Sequence, residues 1–244
     1  MSKVYIRSII NHFRRCLLCT GPAGDDALCA PCLEQASLSA GPVAGPACQQ
    51  PLCRCGLPLA GGREDMAADL CGRCLGEPPP WSWLAPMAAY AGPVRPLVNR
   101  FKHQHCHAAE RALQQLARHH WPARLNQLPA QALLVPVPLH WTRQWFRGFN
   151  QAARLAAFFS HHTGLAMAPV LRRRRGRPQQ SASRRGRSRA SPGFHCRASL
   201  SGRTVILVDD VVTTGQTARA ACLALEAAGA EIAGVICLAR TLPK

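Results

Sequence analysis

The sequence is short of acidic residues and of long apolar runs. It has 12 aspartates and glutamates against 30 lysines and arginines, so its formal net charge is +18 at pH 7. No uninterrupted apolar stretch reaches the ~20 residues of a membrane-spanning helix, which argues against a membrane span. The first 15 residues set Arg7, His12 and Arg14 around a short apolar face, whereas a secretory signal has an unbroken apolar core and a small-residue cleavage site. We therefore expect a soluble, cytoplasmic protein.

The positive charge is carried mainly by arginine, and it has two explanations. Polyanions are favoured partners of such a chain because each neutralised phosphate releases a condensed counterion. Alternatively, the arginines belong to the same bias as the many alanines, glycines and prolines, which is typical of a GC-rich genome. The composition leaves both explanations open.

Cysteine is abundant, with 13 residues of which nine lie before position 75. Without an export signal, this clustering favours metal binding over disulfides. Cys16-x2-Cys19 and Cys29-x2-Cys32 are two close pairs separated by a short loop, which is the layout of a four-thiolate zinc site. A segment with so little apolar core can fold around structural zinc, so we expect loss of the metal to unfold it.

A second zinc site is indicated by Cys71-x2-Cys74. Its upstream ligands come from Cys48, Cys53 and Cys55, and we favour Cys53 and Cys55. The remaining cysteines lie among apolar or mixed residues and are expected to be ordinary buried or neutral thiols. These are Cys106, Cys196, Cys222 and Cys237.

The composition changes at residues 77–80, Glu-Pro-Pro-Pro, directly after the last clustered cysteine. This change predicts a cysteine-rich zinc-binding module over residues 1–78 and an α/β domain over residues 79–244. Apolar runs predict strands at residues 87–90, 132–138, 204–208 and 232–239. Helical spacing predicts helices at residues 94–101, 108–119, 150–159 and 217–228, with Gly164 and Gly229 beyond two helix ends. Strands that alternate with helices indicate a parallel sheet flanked by helices.

The most specific motif is the segment VILVDDVVTTGQT at residues 205–217. Ligands of parallel α/β sheets bind at the carboxyl ends of the strands, where this segment turns from strand to loop to helix. The turn Thr-Thr-Gly-x-Thr at residues 213–217 is placed to surround a phosphate with N–H groups and hydroxyls at a helix N-terminus. Asp209 and Asp210 supply acceptors for the two hydroxyls of a ribose, with a divalent cation nearby to offset their charge. The segment lacks the lysine of a GxxxxGK[ST] loop, which argues against an ATPase.

This segment resembles the 5-phosphoribosyl-1-pyrophosphate (PRPP) binding motif of type I phosphoribosyltransferases. The resemblance implies that the two aspartates contact the ribose hydroxyls and that the turn contacts the 5′-phosphate, with Mg²⁺ accompanying PRPP. The residues implied are Asp209, Asp210, Val211, Thr213, Thr214, Gly215, Gln216 and Thr217. The implied fold is a type I phosphoribosyltransferase-like parallel sheet flanked by helices, behind a small N-terminal zinc-binding module.

The order of the other motifs makes the chain similar to the ComF family of competence-associated proteins, which includes proteins named for gluconate utilisation. The Cys-x2-Cys pairs are followed by Phe101-Lys102, by Val-Pro-Val-Pro at residues 135–138, by Arg-Gly-Phe-Asn-Gln at residues 147–151 and finally by the PRPP motif. The likeness covers nearly the whole chain. It implies that Val137 and its neighbours face pyrophosphate and that residues 147–151 lie beside the site.

Departure of pyrophosphate needs charge stabilisation by a divalent metal and by cationic side chains. Lys102, Arg143 and Arg147 are candidate sources of positive charge, although each alone is also consistent with a solvated surface cation. Asn150 is a candidate cap of the following helix. The candidate catalytic residues are Asp209, Asp210, Lys102 and Arg147.

Residues 172–189 contain nine arginines, no aromatic residue and no apolar periodicity. Such a segment cannot fold by itself, so we expect a mobile loop. Three roles are open. The segment binds single-stranded nucleic acid in a salt-sensitive, sequence-blind way without the usual aromatic platforms, it closes over the substrate, or it is a disordered connection.

Three functions follow as hypotheses. In the first, the chain binds PRPP, an unidentified acceptor displaces pyrophosphate at the ribose C1, and, as the family likeness implies, the protein acts in DNA uptake during natural transformation or in the use of incoming single-stranded DNA. Its partners are then PRPP, single-stranded DNA and proteins of the DNA-uptake machinery. The second is a non-catalytic PRPP-sensing, nucleic-acid-binding adaptor. The third is a zinc-dependent adaptor whose basic surface docks membrane or helicase proteins. Fold likeness alone does not decide between turnover and binding.

Overall fold

The computed structural model describes residues 15–38, 52–59, 70–103, 106–121, 123–139, 148–173 and 193–243. Its parallel strands are β1 (Trp83–Ala89), β2 (Leu133–Pro136), β3 (Ala166–Met167), β6 (Thr204–Val212) and β7 (Glu231–Arg240). They form one sheet with the order β1, β7, β6, β2, β3. A separate antiparallel pair joins β4 (Leu171–Arg173) to β5 (Phe194–Cys196).

The described α-helices are α1 (Ala30–Leu38), α2 (Gly72–Gly76), α3 (Val94–His103), α4 (His107–His119), α5 (Gln151–Thr163) and α6 (Gln216–Glu226), and a short 3₁₀ helix spans Ala123–Gln127. Within the described ranges, no helix has both the length and the apolar character needed to cross a bilayer.

Helices cover both faces of the sheet because its central strand is apolar on both sides. Successive side chains of a strand point to opposite faces. Ile206 and Val208 of β6 pack in a core that includes residues of α3, α4 and α5. Val205 and Leu207 pack on the opposite face with residues of α6. The predicted α/β fold with a parallel sheet flanked by helices is therefore confirmed.

All eight strands and helices predicted for the second unit are present, with shifted bounds. Strand β1 begins at Trp83, before the predicted start, and it contains Pro86. Proline is tolerated there because β1 is the edge strand of the sheet. Helix α5 follows the prediction closely, since the Asn150 side chain accepts a hydrogen bond from the Ala152 N–H and Gly164 ends the helix in a left-handed conformation at φ 75°.

The end of β6 differs from the prediction. Strand β6 was expected to end at Val208, with a loop over residues 209–216, but it continues to Val212. Val211 and Val212 pair with Ala239 and Arg240 of β7, so the ladder carries the chain past the two aspartates. The connection between strand and helix is consequently only residues 213–215.

The start of the arginine-rich segment also differs from the prediction. Arg172 and Arg173 belong to β4, where they pair with His195 and Phe194 of β5. They are therefore ordered strand residues and not part of a mobile loop. The remaining residues of that segment lie outside the described residues.

The N-terminal segment packs against the sheet domain. The Gln115 side chain, buried on α4, accepts a hydrogen bond from the Leu28 N–H at 2.9 Å and donates one to the Leu28 carbonyl at 3.0 Å. Cys16 and Cys32 lie in the same hydrophobic core as α3 and α4. The boundary between residues 78 and 79 stays a prediction about sequence organisation.

Candidate functional site

An acidic pair, Asp209 and Asp210, stands at the carboxyl end of the central strand β6. Asp209 is buried, with 8% of its surface exposed. One of its oxygens accepts a hydrogen bond from the Asp210 N–H at 2.8 Å, and an Asp210 oxygen accepts one from the Val211 N–H at 2.5 Å. The Lys102 ammonium, from α3, lies 2.9 Å from the other Asp210 oxygen. The pair is thus held by the backbone, and Asp210 forms an ion pair with Lys102.

The surroundings of the acidic pair shift the pKa of Asp209. Burial, and then the charge of Asp210, raise the pKa of Asp209 from 3.8 to about 7, and the Asp210 N–H, Lys102 and Arg173 oppose this rise. Near neutral pH Asp209 is therefore close to its titration midpoint. Carboxyls with raised pKa values that line a cavity are typical of functional sites.

The acidic pair opens into a cavity of about 310 Å³. Seven predicted site residues line it: Lys102, Val137, Asp209, Asp210, Val211, Thr213 and Thr217. Tyr90, Asn150 and Arg173 line it as well and were not among the predicted site residues. Arg143 and Arg147, predicted as cations of the site, lie outside the described residues.

The predicted phosphate loop, residues 213–217, runs from the end of β6 into the first turn of α6. Gly215 caps the helix with φ 82°, a conformation that favours glycine. The first N–H groups of α6 have no partner inside the helix, so this end offers donors and positive potential to an anion. Thr213 and Thr217 face the acidic pair's cavity. Thr214, Gly215 and Gln216 line a second cavity of about 220 Å³ behind the loop.

Asn150 connects two walls of the site. Besides capping α5, its side-chain amide donates a hydrogen bond to the Val137 carbonyl at 2.9 Å. The segment predicted to face pyrophosphate is therefore fixed to the start of α5. The capping pattern identified Asn150 in the sequence, but its second bond depends on a contact 13 residues away and had no local signal.

Tyr90 and Arg173 were missed for different reasons. Tyr90 directly follows β1 at the carboxyl edge of the sheet, which is a position where parallel α/β sheets bind ligands and is the signal that could have identified it. Arg173 was assigned to a mobile loop, whereas β4 brings it to the cavity.

Two groups of four cysteines each bring all their sulfurs within 4.8 Å of one another. The first thiolate group is Cys16, Cys19, Cys29 and Cys32, and the second thiolate group is Cys53, Cys55, Cys71 and Cys74. In a tetrahedral zinc site with Zn–S bonds of about 2.3 Å, sulfurs are about 3.8 Å apart. The Cys19 and Cys29 sulfurs are 3.6 Å apart, and those of Cys55 and Cys71 are 3.9 Å apart. Both groups could hold zinc in the predicted ligand sets, while Cys48 lies outside the described residues.

The thiol pKa values differ within each thiolate group. Burial raises the pKa of Cys16, but hydrogen bonds from the backbone of Cys19 and Cys29 more than offset it and lower the value to about 6. Burial and the neighbouring thiols raise the pKa of Cys32. In the second group, burial and then the Cys53 side chain raise the pKa of Cys55 to about 11. Four thiolates at these distances repel one another until a metal ion supplies the balancing charge.

The other described cysteines match their expected character. Cys222 and Cys237 are buried, and burial raises the pKa of each thiol. Cys106 and Cys196 are partly exposed and belong to neither thiolate group.

The chain is similar to a known domain and to several known proteins. Residues 147–242 match the phosphoribosyl transferase domain. The chain is 36% identical over 196 residues to the DNA utilization protein YhgH of Escherichia coli K12, covering 78% of this chain and 83% of that protein. It is 36% identical over 194 residues to the protein of the same name from Salmonella typhi, with the same coverage. It is 30% identical over 223 residues to competence protein F of Haemophilus influenzae, covering 86% of this chain and 90% of that protein.

The domain match includes β6, the phosphate loop and β7, and the relatives agree with the motif order in the sequence. The chain belongs to the ComF family of phosphoribosyltransferase-domain proteins.

Proposed function

We propose that the protein binds PRPP together with Mg²⁺ in the cavity beside the acidic pair. The observation that carries this proposal is the position of Asp209 and Asp210 near the carboxyl end of β6, beside Lys102 and separated from α6 only by the rest of the strand and the short connection 213–215. The ribose hydroxyls would donate to the two carboxylates. The 5′-phosphate would accept hydrogen bonds from the phosphate loop. Gly215 and Gln216 of this loop, and Val211 at the end of β6, would complete the binding surface.

Pyrophosphate would lie toward Val137, on the wall that Asn150 fixes. Lys102 and Arg173 line the same cavity and supply positive charge from two sides. Arg147 stays a predicted further cation. Mg²⁺, when bound with PRPP, stabilises the negative charge on the departing oxygens.

The transferase reaction would join an acceptor to the ribose C1 while the bond from C1 to the pyrophosphate oxygen breaks. The acceptor loses its proton, and pyrophosphate leaves with the electron pair of the broken bond. Charge stabilisation and positioning are the contributions that this site offers to such a step. The candidate catalytic residues remain Asp209, Asp210, Lys102 and Arg147.

For the biological role, we propose DNA uptake or the use of incoming single-stranded DNA in the cytoplasm. The relatives are named for DNA utilization and competence, and the net charge of +18 suits a polyanionic partner. Single-stranded DNA would bind the basic surface, and proteins of the uptake machinery would be further partners. Structural zinc in both thiolate groups would hold the module of residues 1–78 in place.

A second candidate is a PRPP-sensing adaptor without turnover. The observation that favours it is the ion pair of Lys102 with Asp210, since PRPP entering the site would release or redirect this lysine and so change the structure without any reaction. Measurement of pyrophosphate release separates the two candidates. Release that depends on an added acceptor supports the transferase, whereas PRPP binding with no release over a broad acceptor panel, single-stranded DNA included, supports the sensor.

The DNA role has its own test. We expect the purified protein to bind single-stranded DNA at low salt, with an affinity that falls steeply as salt rises. Absence of binding at low salt by zinc-loaded protein would remove DNA as a partner and leave an adaptor that docks proteins.

A further inference from the structure

Arg240, the last residue of β7, is a buried cation whose guanidinium donates hydrogen bonds to backbone carbonyls. It is 4% exposed. Its Nε donates to the Cys55 carbonyl at 3.1 Å, and its Nη1 donates to the carbonyls of Val212 at 3.1 Å and Thr241 at 3.0 Å. The Thr213 carbonyl also lies within hydrogen-bond distance of Nη1, whose two N–H groups are shared among these three carbonyls. Among the described residues, the ion pairs do not include Arg240.

These bonds join two parts of the molecule that are far apart in sequence. Cys55 belongs to the second thiolate group, whereas Val212 and Thr213 form the junction between β6 and the phosphate loop. A guanidinium is a planar fork that fixes the relative positions of its acceptors. Arg240 therefore ties the backbone of a metal-ligand loop to the backbone that positions the 5′-phosphate.

Trp81 makes a second link between the same two parts. Its indole N–H donates to the Arg54 carbonyl at 2.7 Å, so it bonds the residue between Cys53 and Cys55. The edge of its ring lies 4.0 Å from the point where a side chain on Gly215 would begin. The Cys53 loop is itself closed by hydrogen bonds from Cys53 to Leu57 and from Gly56 to Cys53. The loop is thus a compact support behind the phosphate loop.

The first thiolate group has a different attachment. Its segment bonds Gln115 of α4, and its buried cysteines pack in the core on the face of the sheet opposite α6. This difference supplies an internal control, because a metal at the first group has no comparable path to the phosphate loop.

We propose that Arg240 is a positioning residue that couples the second thiolate group to the phosphate loop. Metal binding at Cys53, Cys55, Cys71 and Cys74 and PRPP binding at residues 213–217 then strengthen each other. The inference rests on the proposed function for its ligand, PRPP. Because coupling between two sites is reciprocal, each ligand raises the affinity of the protein for the other by the same factor.

The first experiment needs no substitution near the site. Zinc-loaded protein is mixed with an excess of a chromogenic chelator, with and without PRPP and Mg²⁺, and zinc release is followed in time. We expect two phases, of which one slows about fivefold or more with PRPP, the lower end of ordinary allosteric coupling. Cys71→Ser should remove that phase and Cys19→Ser the other. If PRPP binds and neither phase changes, or if only the Cys19 phase slows, the inference is wrong.

The second experiment compares Arg240→Lys with Arg203→Lys. A lysine keeps the charge but has a single ammonium, which cannot serve Cys55 and Thr213 together in the geometry of the fork. Arg203 is the matched control because it also donates to a backbone carbonyl, that of Gln131, away from the phosphate loop. We expect Arg240→Lys to retain two zinc ions per chain, to bind PRPP about tenfold more weakly and to lose the PRPP effect on zinc release. Arg203→Lys should retain all three properties.

The outcomes are distinguishable from failure of the proposed function. If wild-type protein does not bind PRPP in a calorimetric titration, the proposed function and this inference both fall. If wild type binds PRPP and Arg240→Lys shows the wild-type affinity and the wild-type zinc protection, only the coupling is refuted. If Arg240→Lys fails to fold, the wild-type zinc-release experiment decides.

Discussion

The Lys102 ammonium lies 2.9 Å from the Asp210 carboxylate, so a cation at the end of α3 pairs with a carboxylate near the end of the central strand β6. Both side chains are largely buried, with 15% and 16% exposed, and the pair is therefore screened less than a surface ion pair. Through this contact, a residue of α3 partly neutralises the negative charge of the acidic pair.

Replacement of Lys102 by methionine should weaken PRPP binding by about tenfold or more, since a hydrogen bond to a charged group contributes about 1.5–3 kcal/mol. The acidic pair would then face the phosphates of PRPP with one positive charge fewer. Calorimetric titration with PRPP and Mg²⁺ measures the change. Arg100→Met is the matched control, since Arg100 is an exposed cation of the same helix and its loss should change the affinity by less than about twofold.

The pKa of Asp209 predicts a pH-dependent stability. Because the folded state raises this pKa from 3.8 to about 7, the folded chain holds the proton more tightly than the unfolded chain, and Asp209 lowers stability progressively as the pH rises from about 4 to 7. The substitution Asp209→Asn removes this pH-dependent loss of stability, because asparagine does not ionise. Without ligand, the substitution should therefore stabilise the protein more at pH 8 than at pH 5, by roughly 2–3 kcal/mol.

Chemical denaturation of wild type and Asp209→Asn at the two pH values measures this difference. Glu231→Gln is the control, because Glu231 is an exposed carboxylate at the start of β7. An equal effect of Asp209→Asn at both pH values would show that the carboxyl titrates normally in the folded protein.

The case of Asp209 shows where sequence patterns reach their limit. Aspartate is disfavoured in strands, so the apolar run predicts an end at Val208, yet the pairing of Val211 with Ala239 continues the strand. The motif still placed both aspartates at the carboxyl end of a parallel strand, and local spacing also placed both ligand sets of cysteines. Sequence patterns were sufficient to predict site residues wherever the residues of one motif lie close together in the chain.

Arg240 and Gln115 mark what local pattern could not predict. Arg240 ends an apolar strand and looks like a terminal surface cation, but its acceptors come from residues 55, 212, 213 and 241. Gln115 lies on an amphipathic helix and bonds Leu28, 87 residues earlier. Such contacts depend on how separate segments pack, and no spacing in the sequence encodes them.

Gln115→Leu should destabilise the attachment of the first thiolate group. The Leu28 N–H and carbonyl would lose their buried partner, and an unsatisfied buried group costs about 1–3 kcal/mol. We expect a lower melting temperature and faster zinc loss from the first thiolate group. Gln114→Leu is the control, since Gln114 is partly exposed and donates a long hydrogen bond, of 3.4 Å, to Glu110 of the same helix. Equal stability of the two variants would contradict this role of Gln115.

The arginine-rich segment should supply much of the salt dependence of DNA binding. Each phosphate contact on a single strand contributes about 0.7 to the slope of log K against log salt. Replacement of Arg184, Arg185, Arg187 and Arg189 by glutamine should therefore lower the slope by up to about 3. The same change at four exposed arginines elsewhere, Arg95, Arg118, Arg124 and Arg197, is the charge-matched control. If the slope of log K against log salt falls equally in both quadruple variants, the DNA-binding charge is spread over the surface and not concentrated in this segment.

The most direct test of the account is calorimetric titration of the zinc-loaded protein with PRPP and Mg²⁺, comparing wild type with Asp209→Asn combined with Asp210→Asn and with the control Glu231→Gln. We expect saturable binding by wild type and by the control, and no measurable binding by the double variant, whose fold and zinc content remain unchanged. Absence of PRPP binding by folded wild type, or undiminished binding by the double variant, would contradict it.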